Sequence, residues 1–387
     1  MLAAVIGGNL QGVEATYLAQ KAGWEVLLID KTADVPASGL CDSFIQLDAS
    51  RREELDGAIK KVDLVIPALE NNQALDAIVR GTSDADTPLA FDHRAFRISS
   101  SKIKSDHLFG RIGLQAPKPW PQCRFPVVAK PSSASGSKGV RIFNTKEEMK
   151  NFCSPDFSPQ AWVLQEFVQG PSFSLEVLGV PGNYIPLQVT DLGMDAAYDC
   201  KRVAAPTVLP PDLVGIFEKN ALDIANALNL KGIMDVEVIL NNGELKVLEI
   251  DARLPSQTPT VVFWSTGLNM VQMLGDLFSS SARPIPEITE CRGVVYEHIR
   301  ASPGLIETGG ERMMSMAGPL SVYPDFFGAD EAITNYANGR NRWVATLIFS
   351  ALDRKEAWAK RNAVFKTIRK RFGLNRICDS NPDKPKI

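Results

Sequence analysis

The sequence has no apolar run approaching the roughly 18 residues that a membrane span requires. Its first residues run into a strand with no basic flank, so neither a span nor a signal peptide is expected. Histidine is scarce: His93, His107 and His298 are the only three, which argues against histidine base catalysis. The six cysteines (Cys41, Cys123, Cys153, Cys200, Cys291 and Cys378) have no metal-ligand spacing. Scattered in this way, they suit reduced thiols in a cytoplasm better than a disulfide scaffold. Basic excess is also missing. A net charge of −3 gives no support for a nucleic-acid partner. What remains is an ordinary globular composition, 45% hydrophobic and 22% charged, over 387 residues. That length predicts two or three domains.

The most informative stretch runs from Glu237 to Pro259. Asn241-Asn242-Gly243 between two apolar runs predicts a tight hairpin. Folding it sets Glu237 opposite the Glu249–Asp251 end of the second strand, and Glu249 and Asp251 share a face because strand side chains alternate. Carboxylates gathered beside Arg253 repel one another unless cations sit between them, and hard oxygen ligands suit Mg²⁺ bound together with nucleotide phosphates. A solvated acidic face is the alternative reading of the same spacing.

At the N-terminus, 2–6 reads as a buried strand, 14–22 as a helix and 24–29 as a second buried strand ending at Asp30. This is a Rossmann-like unit, but Gly7-Gly8-Asn9-Leu10-Gln11-Gly12 lacks the middle glycine of a dinucleotide fingerprint. A further buried strand, 62–67, leads into Glu70 and Asn71. Ligands in such sheets bind beyond the carboxyl ends of the strands. Gln11, Asp30 and Glu70 fall there and suit a substrate with an ammonium group, although Glu70 and Asn71 equally suit helix capping.

In the middle of the chain, Ser101 or Ser105 is placed to cap a helix running to Ile112, with Lys104 near its start. Lys130 ends an apolar strand, where a buried ammonium needs an anion. The glycine–serine loop that follows, including Gly136, Ser137, Lys138 and Gly139, can fold over a polyphosphate; a flexible hairpin loop is the alternative reading. Gln165-Glu166-Phe167-Val168 offers backbone groups, apolar walls and a carboxylate for an adenosine, and suits a plain edge strand equally. Ser174 and Glu176 share a face of the next strand, and Asp235 shares one with Glu237. Asp212 is placed to cap a helix over 212–229. Beyond Gly293, strands alternate with turns, and a basic helix runs from 353 to 372 with a solvated Lys366, Arg369, Lys370 and Arg371 face.

Lys104, Lys130 with 132–140, Gln165–Val168, and Glu237 with Glu249, Asp251 and Arg253 resemble the ATP-grasp superfamily of carboxylate–amine ligases. Asp251 departs from an asparagine frequent at that place. Within the superfamily the chain is similar, over nearly its whole length, to the ligases of pyrrolysine biosynthesis. The likeness is most specific at Gly7–Gly12, Ser174–Val177, Tyr198–Cys200, Leu230–Glu237 and Glu249–Thr260.

The resemblance implies an α/β and α+β multidomain architecture. It comprises a Rossmann-like domain at 1–90, an ATP-grasp core at 91–290 with a phosphate-loop subdomain about 115–165, and a segment at 291–387 completing the large domain. It implies ATP held by Lys104, Lys130, Ser137, Lys138, Gly139, Gln165, Glu166, Phe167 and Val168, and two Mg²⁺ ions on Glu237, Glu249 and Asp251. Arg253 and Lys130 are the implied catalytic residues. The implied substrates are 3-methyl-D-ornithine, at Ser174, Glu176 and Asp235, and L-lysine, with Gln11 and Glu70 as its expected partners. Ser256 and Thr258 are further expected substrate contacts. A monomer or homodimer is expected. The rival readings are an ATP-grasp ligase with other substrates and a nucleotide-binding protein without turnover.

Overall fold

A computed structural model describes residues 1–134, 136–152, 161–279 and 291–382; Ser135 and Cys153 lie outside them. β1 (Leu2–Ile6), α1 (Leu10–Lys21), β2 (Glu25–Asp30), β3 (Ser43–Gln46), α2 (Arg52–Ile59), β4 (Leu64–Pro67) and α3 (Asn72–Ala85) come first. Their strands form a parallel sheet of order β3-β2-β1-β4. The order switches direction at β1 and β4, so the loops after these strands bound a crevice at their carboxyl ends. Gly7, at φ 110°, has no room for a side chain, since a Cβ would lie 2.3 Å from the Ala68 carbonyl oxygen. Asp30 folds back on this loop and accepts from Gly8 N–H at 2.7 Å, so it shapes the crevice that it also lines. Asn71 caps α3 by accepting from Ala74 N–H.

α4 (His93–Ser99) and α5 (Lys102–Arg111) lead to a small antiparallel sheet of order β6-β5-β7. It is built from β5 (Val127–Pro131), β6 (Arg141–Phe143), α6 (Lys146–Phe152) and β7 (Trp162–Glu166). The glycine–serine loop joins β5 to β6.

The third sheet takes β8 (Ser172–Val180), β9 (Asn183–Pro186), β10 (Thr190–Met194) and β11 (Cys200–Ala205). After α7 (Pro211–Leu228) come the hairpin strands β12 (Gly232–Asn241) and β13 (Glu244–Asp251), then α8 (Thr258–Thr266) and α9 (Met270–Phe278). The chain continues through β14 (Gly293–Ser302), β15 (Leu305–Thr308), α10 (Arg312–Ser315), β16 (Ser321–Pro324), β17 (Glu331–Thr334), β18 (Trp343–Ala351), α11 (Arg354–Phe372) and β19 (Arg376–Asp379). Among the described residues this sheet has twelve strands, its main path running β13-β12-β8-β10-β11-β14-β18-β17-β16. The hairpin and the C-terminal strands therefore belong to one continuous sheet. Asp212 does not cap α7; Pro210 holds that place, and Asp212 lies in the first turn, where its charge suits the helix dipole.

Helix α1 is pinned between the first sheet and the third. Tyr17 donates to Glu331 at 2.7 Å and accepts from Trp264 at 2.9 Å, while Asn269 donates to the Leu18 carbonyl at 2.7 Å. α9 packs so closely on Trp24 that a Cβ at Gly275 would fall 2.3 Å from the indole. In α11 Lys366, Lys370 and Arg371 are exposed and Arg369 is half-buried, but Arg361 is buried and grips Glu297 through two bonds of 2.7 and 2.9 Å. No helix among the described residues is long and apolar enough to cross a membrane.

Candidate active site

The hairpin closes through Asn242 and Gly243 at φ 51° and 82°, the positive values that a tight two-residue turn demands. Its register sets Glu237 against Glu249 and Asp235 against Asp251. On the other side of β12, β8 sets Ser174 against Glu237 and Glu176 against Asp235. Alternation then brings Ser174, Glu176, Asp235, Glu237, Glu249 and Asp251 to one sheet face. The Ser174 hydroxyl donates to Asp235, and it also lies 3.4 Å from Glu176. Burial raises Glu176 to about 7 and pushes Asp235 and Glu237 well up, with repulsion from neighbouring carboxylates adding to both of these.

Two cations partly balance this face. Lys102 donates to Glu249 at 2.6 Å and to the Ala134 carbonyl at 2.8 Å. Arg253 reaches Asp251 at 2.7 Å and Glu70 at 2.6 Å. Burial raises Asp251 to about 7 against the pull of Arg253. Lys130 is buried, and burial lowers its ammonium from the ordinary value; Glu249, Lys102, Asp106 and Glu237 lie within its electrostatic reach. Lys104 is not brought to this cluster: it is exposed and donates to the Arg97 carbonyl at 3.1 Å. Ser101, rather than Ser105, caps α5, and Lys102 in its first turn faces Glu249.

The adenosine candidates lie on β7 and just beyond it. Gln165 and Val168 are buried, and Phe167 meets the Tyr198 ring edge-on with centroids 6.0 Å apart. Glu166 is not a free carboxylate, because Lys246 holds both its oxygens at 2.8 and 2.7 Å. In the glycine loop Ser137 donates to the Tyr198 carbonyl at 2.6 Å, and Gly139 sits at φ 77°. Lys138 faces a cavity of about 860 Å³ that runs from the N-terminal crevice to Arg253. Gln11, Glu70 and Ser256 line it too, and Gln11 Nε2 lies 3.4 Å from Glu70. Sequence reasoning missed Glu311 on the same wall, which accepts from Ser256 and, at 2.7 Å, from Gln257.

Thr258 begins α8. It lies close enough to Glu176 to hold that carboxyl down against burial, which leaves Asp251 Oδ1 and Arg253 Nε as buried polar atoms here without a protein partner, a rare condition in folded proteins. No three His, Cys, Asp or Glu residues among those described converge into a metal cage. That fits Mg²⁺, which takes one or two carboxylates and completes its shell with phosphates and water. Glu237, Glu249 and Asp251 lie together on this face, Glu249 paired with Lys102 and Asp251 with Arg253.

A second carboxylate missed in the sequence underpins the site. Glu14 of α1 is buried and accepts from Thr260 N–H at 2.6 Å, tying α1 to the first turn of α8. Burial raises it from 4.5 to about 7. Between those values the native state holds a proton that the unfolded chain has released, so stability falls as pH rises through the interval. The cost by pH 8 is about 3 kcal/mol. Glu14→Gln is therefore expected to flatten the decline of the apo-protein's unfolding midpoint between pH 5 and pH 8, measured by thermal denaturation at each pH.

A family model described as an ATP-grasp domain matches residues 99–257. The chain is 36% identical over 371 residues to the 3-methyl-D-ornithine–L-lysine ligase of Methanosarcina mazei, covering 95% of this chain and 96% of that one. Among solved structures it is similar to the biotin carboxylase domain of Hydrogenobacter thermophilus 2-oxoglutarate carboxylase, with a TM-score of 0.72 at 15% identity over 94% of this chain and 89% of that one. It is also similar to N5-carboxyaminoimidazole ribonucleotide synthetase of Thermotoga maritima, with a TM-score of 0.67 at 20% identity over 95% and 98%. At these identities the two structural likenesses establish a shared fold.

Proposed function

Since the chain belongs to the 3-methyl-D-ornithine–L-lysine ligase family of the ATP-grasp superfamily, we propose that its site joins the 3-methyl-D-ornithine carboxylate to the ε-amine of L-lysine. A carboxylate is a poor electrophile. ATP transfers its γ-phosphoryl group to a carboxylate oxygen and ADP departs. The ε-amine then attacks the acyl carbon, inorganic phosphate leaves, and 3-methyl-D-ornithyl-L-lysine, the pyrrolysine precursor, is released.

Lys130 and the 136–139 loop bind the phosphates in this reading, with Lys102 the better-placed second cation than Lys104. Gln165, Phe167 and Val168 wall the adenine, and Glu166 reaches a ribose only if Lys246 yields. Two Mg²⁺ ions, held by Glu237 and Glu249, would neutralise charge developing on the phosphates. Asp251 serves best by orienting Arg253, whose fork steadies the transferring phosphoryl group and then the tetrahedral centre. Ser174, Glu176 and Asp235 receive the ammonium groups of 3-methyl-D-ornithine. Lysine enters the N-terminal crevice beside Gln11 and Glu70, with Ser256 and Thr258 at the junction. Residues 1–90 act as the Rossmann-like domain, 91–290 as the nucleotide-binding core, and 291–387 complete its large sheet.

The observation that carries the reading is the buried acidic face beside Lys130 and Arg253: it suits a dicationic amino acid and metal-bound phosphates together. The test measures ADP and, by mass spectrometry, amide from Mg²⁺-ATP with D-ornithine and L-lysine, singly and together. ADP formed in step with ornithyl-lysine only when both are present is the expected result. Turnover confined to other acid–amine pairs would overturn the substrate assignment.

A further inference from the structure

Two segments distant in sequence grip the glycine loop. Ser137 donates to the Tyr198 carbonyl, and Arg312 Nη2 donates to the Gly136 carbonyl at 2.7 Å. Arg312 is anchored in turn. Its backbone N–H donates to Asp199 at 3.1 Å, and its guanidinium Nε lies 3.8 Å from the same carboxylate. Asp195 closes the turn that presents Tyr198 and Asp199, accepting from Ala197 N–H at 2.7 Å and Asp199 N–H at 3.1 Å. It also accepts from Gly310 N–H at 3.0 Å, which brings the start of α10 against that turn. Gly310 is required there, because a Cβ would fall 2.2 Å from Asp199 Cγ. Gly136, Lys138, Asp199 and Arg312 line the same cavity as Arg253 and Glu70. The Arg312 side chain is 49% exposed, so its contacts contribute little to folding. Its forked head instead spans a loop carbonyl and a carboxylate, a geometry lysine cannot reproduce.

We infer that Arg312 is a positioning residue that holds the glycine loop over the occupied site, keeping water from the activated carboxylate until the amine attacks. This rests on the ligase reading above. With the loop held, each ATP consumed yields one amide, one ADP and one phosphate. With it released, water attacks the acyl phosphate at the acyl carbon, the free carboxylate and phosphate reform, and ATP plus water has become ADP plus phosphate with no amide.

Wild type, Arg312→Ala and Arg312→Lys are compared by ADP per amide formed from Mg²⁺-ATP, D-ornithine and L-lysine. Tryptic cleavage after Lys138, followed by mass spectrometry, reads the loop independently of turnover. Wild type is expected near one ADP per amide. Arg312→Ala should raise the ratio by about threefold or more and speed cleavage after Lys138 by about tenfold, with an unchanged unfolding midpoint. Arg312→Lys should fall between the two. An ADP-to-amide ratio unchanged in Arg312→Ala overturns the inference, whatever the cleavage rate. If wild type forms no amide, D-ornithine is not accepted as the acid. Cleavage after Lys138 then still decides whether Arg312 holds the loop, and an unchanged rate overturns that.

Discussion

Arg253→Ala is expected to lower amide formation by about 10²- to 10³-fold, the usual loss when a preorganised donor to a developing anion is removed. Arg253 is placed for that task by its surroundings. One terminal nitrogen bridges Asp251 and Glu70 at 2.7 and 2.6 Å, while its buried Nε has no partner. The two carboxylates hold the fork in one orientation and leave a donor free for the reacting group. Arg253→Lys keeps the charge but loses the fork, so it should recover about tenfold at most. The alanine variant also leaves Asp251 beside Glu70 without the guanidinium that pairs them. Asp251, already raised to about 7 by burial, then rises further and binds its proton more tightly in the native state than in the unfolded chain. The variant's stability deficit should therefore grow as pH increases past neutrality and shrink at pH 5. Rates of ADP and amide formation, with unfolding midpoints at pH 5 and pH 8, check both statements. Amide formation within about threefold of wild type would remove Arg253 from the chemistry.

The hairpin was legible because every determinant is local: an Asn-Gly turn fixes the register, and register fixes which carboxylates face one another. The acidic face followed from alternation alone. Lysine choice on α5 was not legible. Lys102 and Lys104 lie two positions apart, so they point to different sides of the helix, and only the docking of the helix decides which one faces Glu249. Glu166 read as free because its partner, Lys246, lies on another sheet's strand where 245, 246 and 247 are all buried, and no alternation announces it. Glu14, Arg361 and Glu311 escaped notice for a related reason. A charged residue on a helix or in a loop defaults to solvent, and only tertiary packing reveals otherwise. The continuity of the third sheet was equally hidden, since β11 pairs with β14 across α7, the hairpin, α8 and α9. β3 carries a single half-buried side chain, Phe44, which is too weak a pattern to read.

A site built from buried like charges is a liability for the empty protein, and that liability can be measured. Glu237→Gln is expected to reduce amide formation by about 10²-fold or more while raising apo-protein stability at pH 8 by about 1–3 kcal/mol. Glu237 is pushed well above its ordinary value, first by burial and then by Asp235 and Glu249. In the unfolded chain it ionises near pH 4.3, so above that value the native state retains a proton that the unfolded state has lost. Stability therefore falls as pH rises toward the native value, and glutamine removes the group responsible. At pH 5, less than one unit above the unfolded value, most of that penalty has not yet built up, and the advantage should shrink to about 1 kcal/mol or less. Mg²⁺-ATP should then reverse the order at pH 8: binding to the native state stabilises in proportion to affinity, and the variant has lost a carboxylate that shares the metal's charge. Unfolding midpoints of both proteins, with and without Mg²⁺-ATP at pH 5 and pH 8, test this. A variant less stable than wild type when empty at pH 8 would mean that Glu237 makes net favourable contacts in the apo-protein, and a variant gaining as much from Mg²⁺-ATP as wild type would remove Glu237 from the metal's ligands.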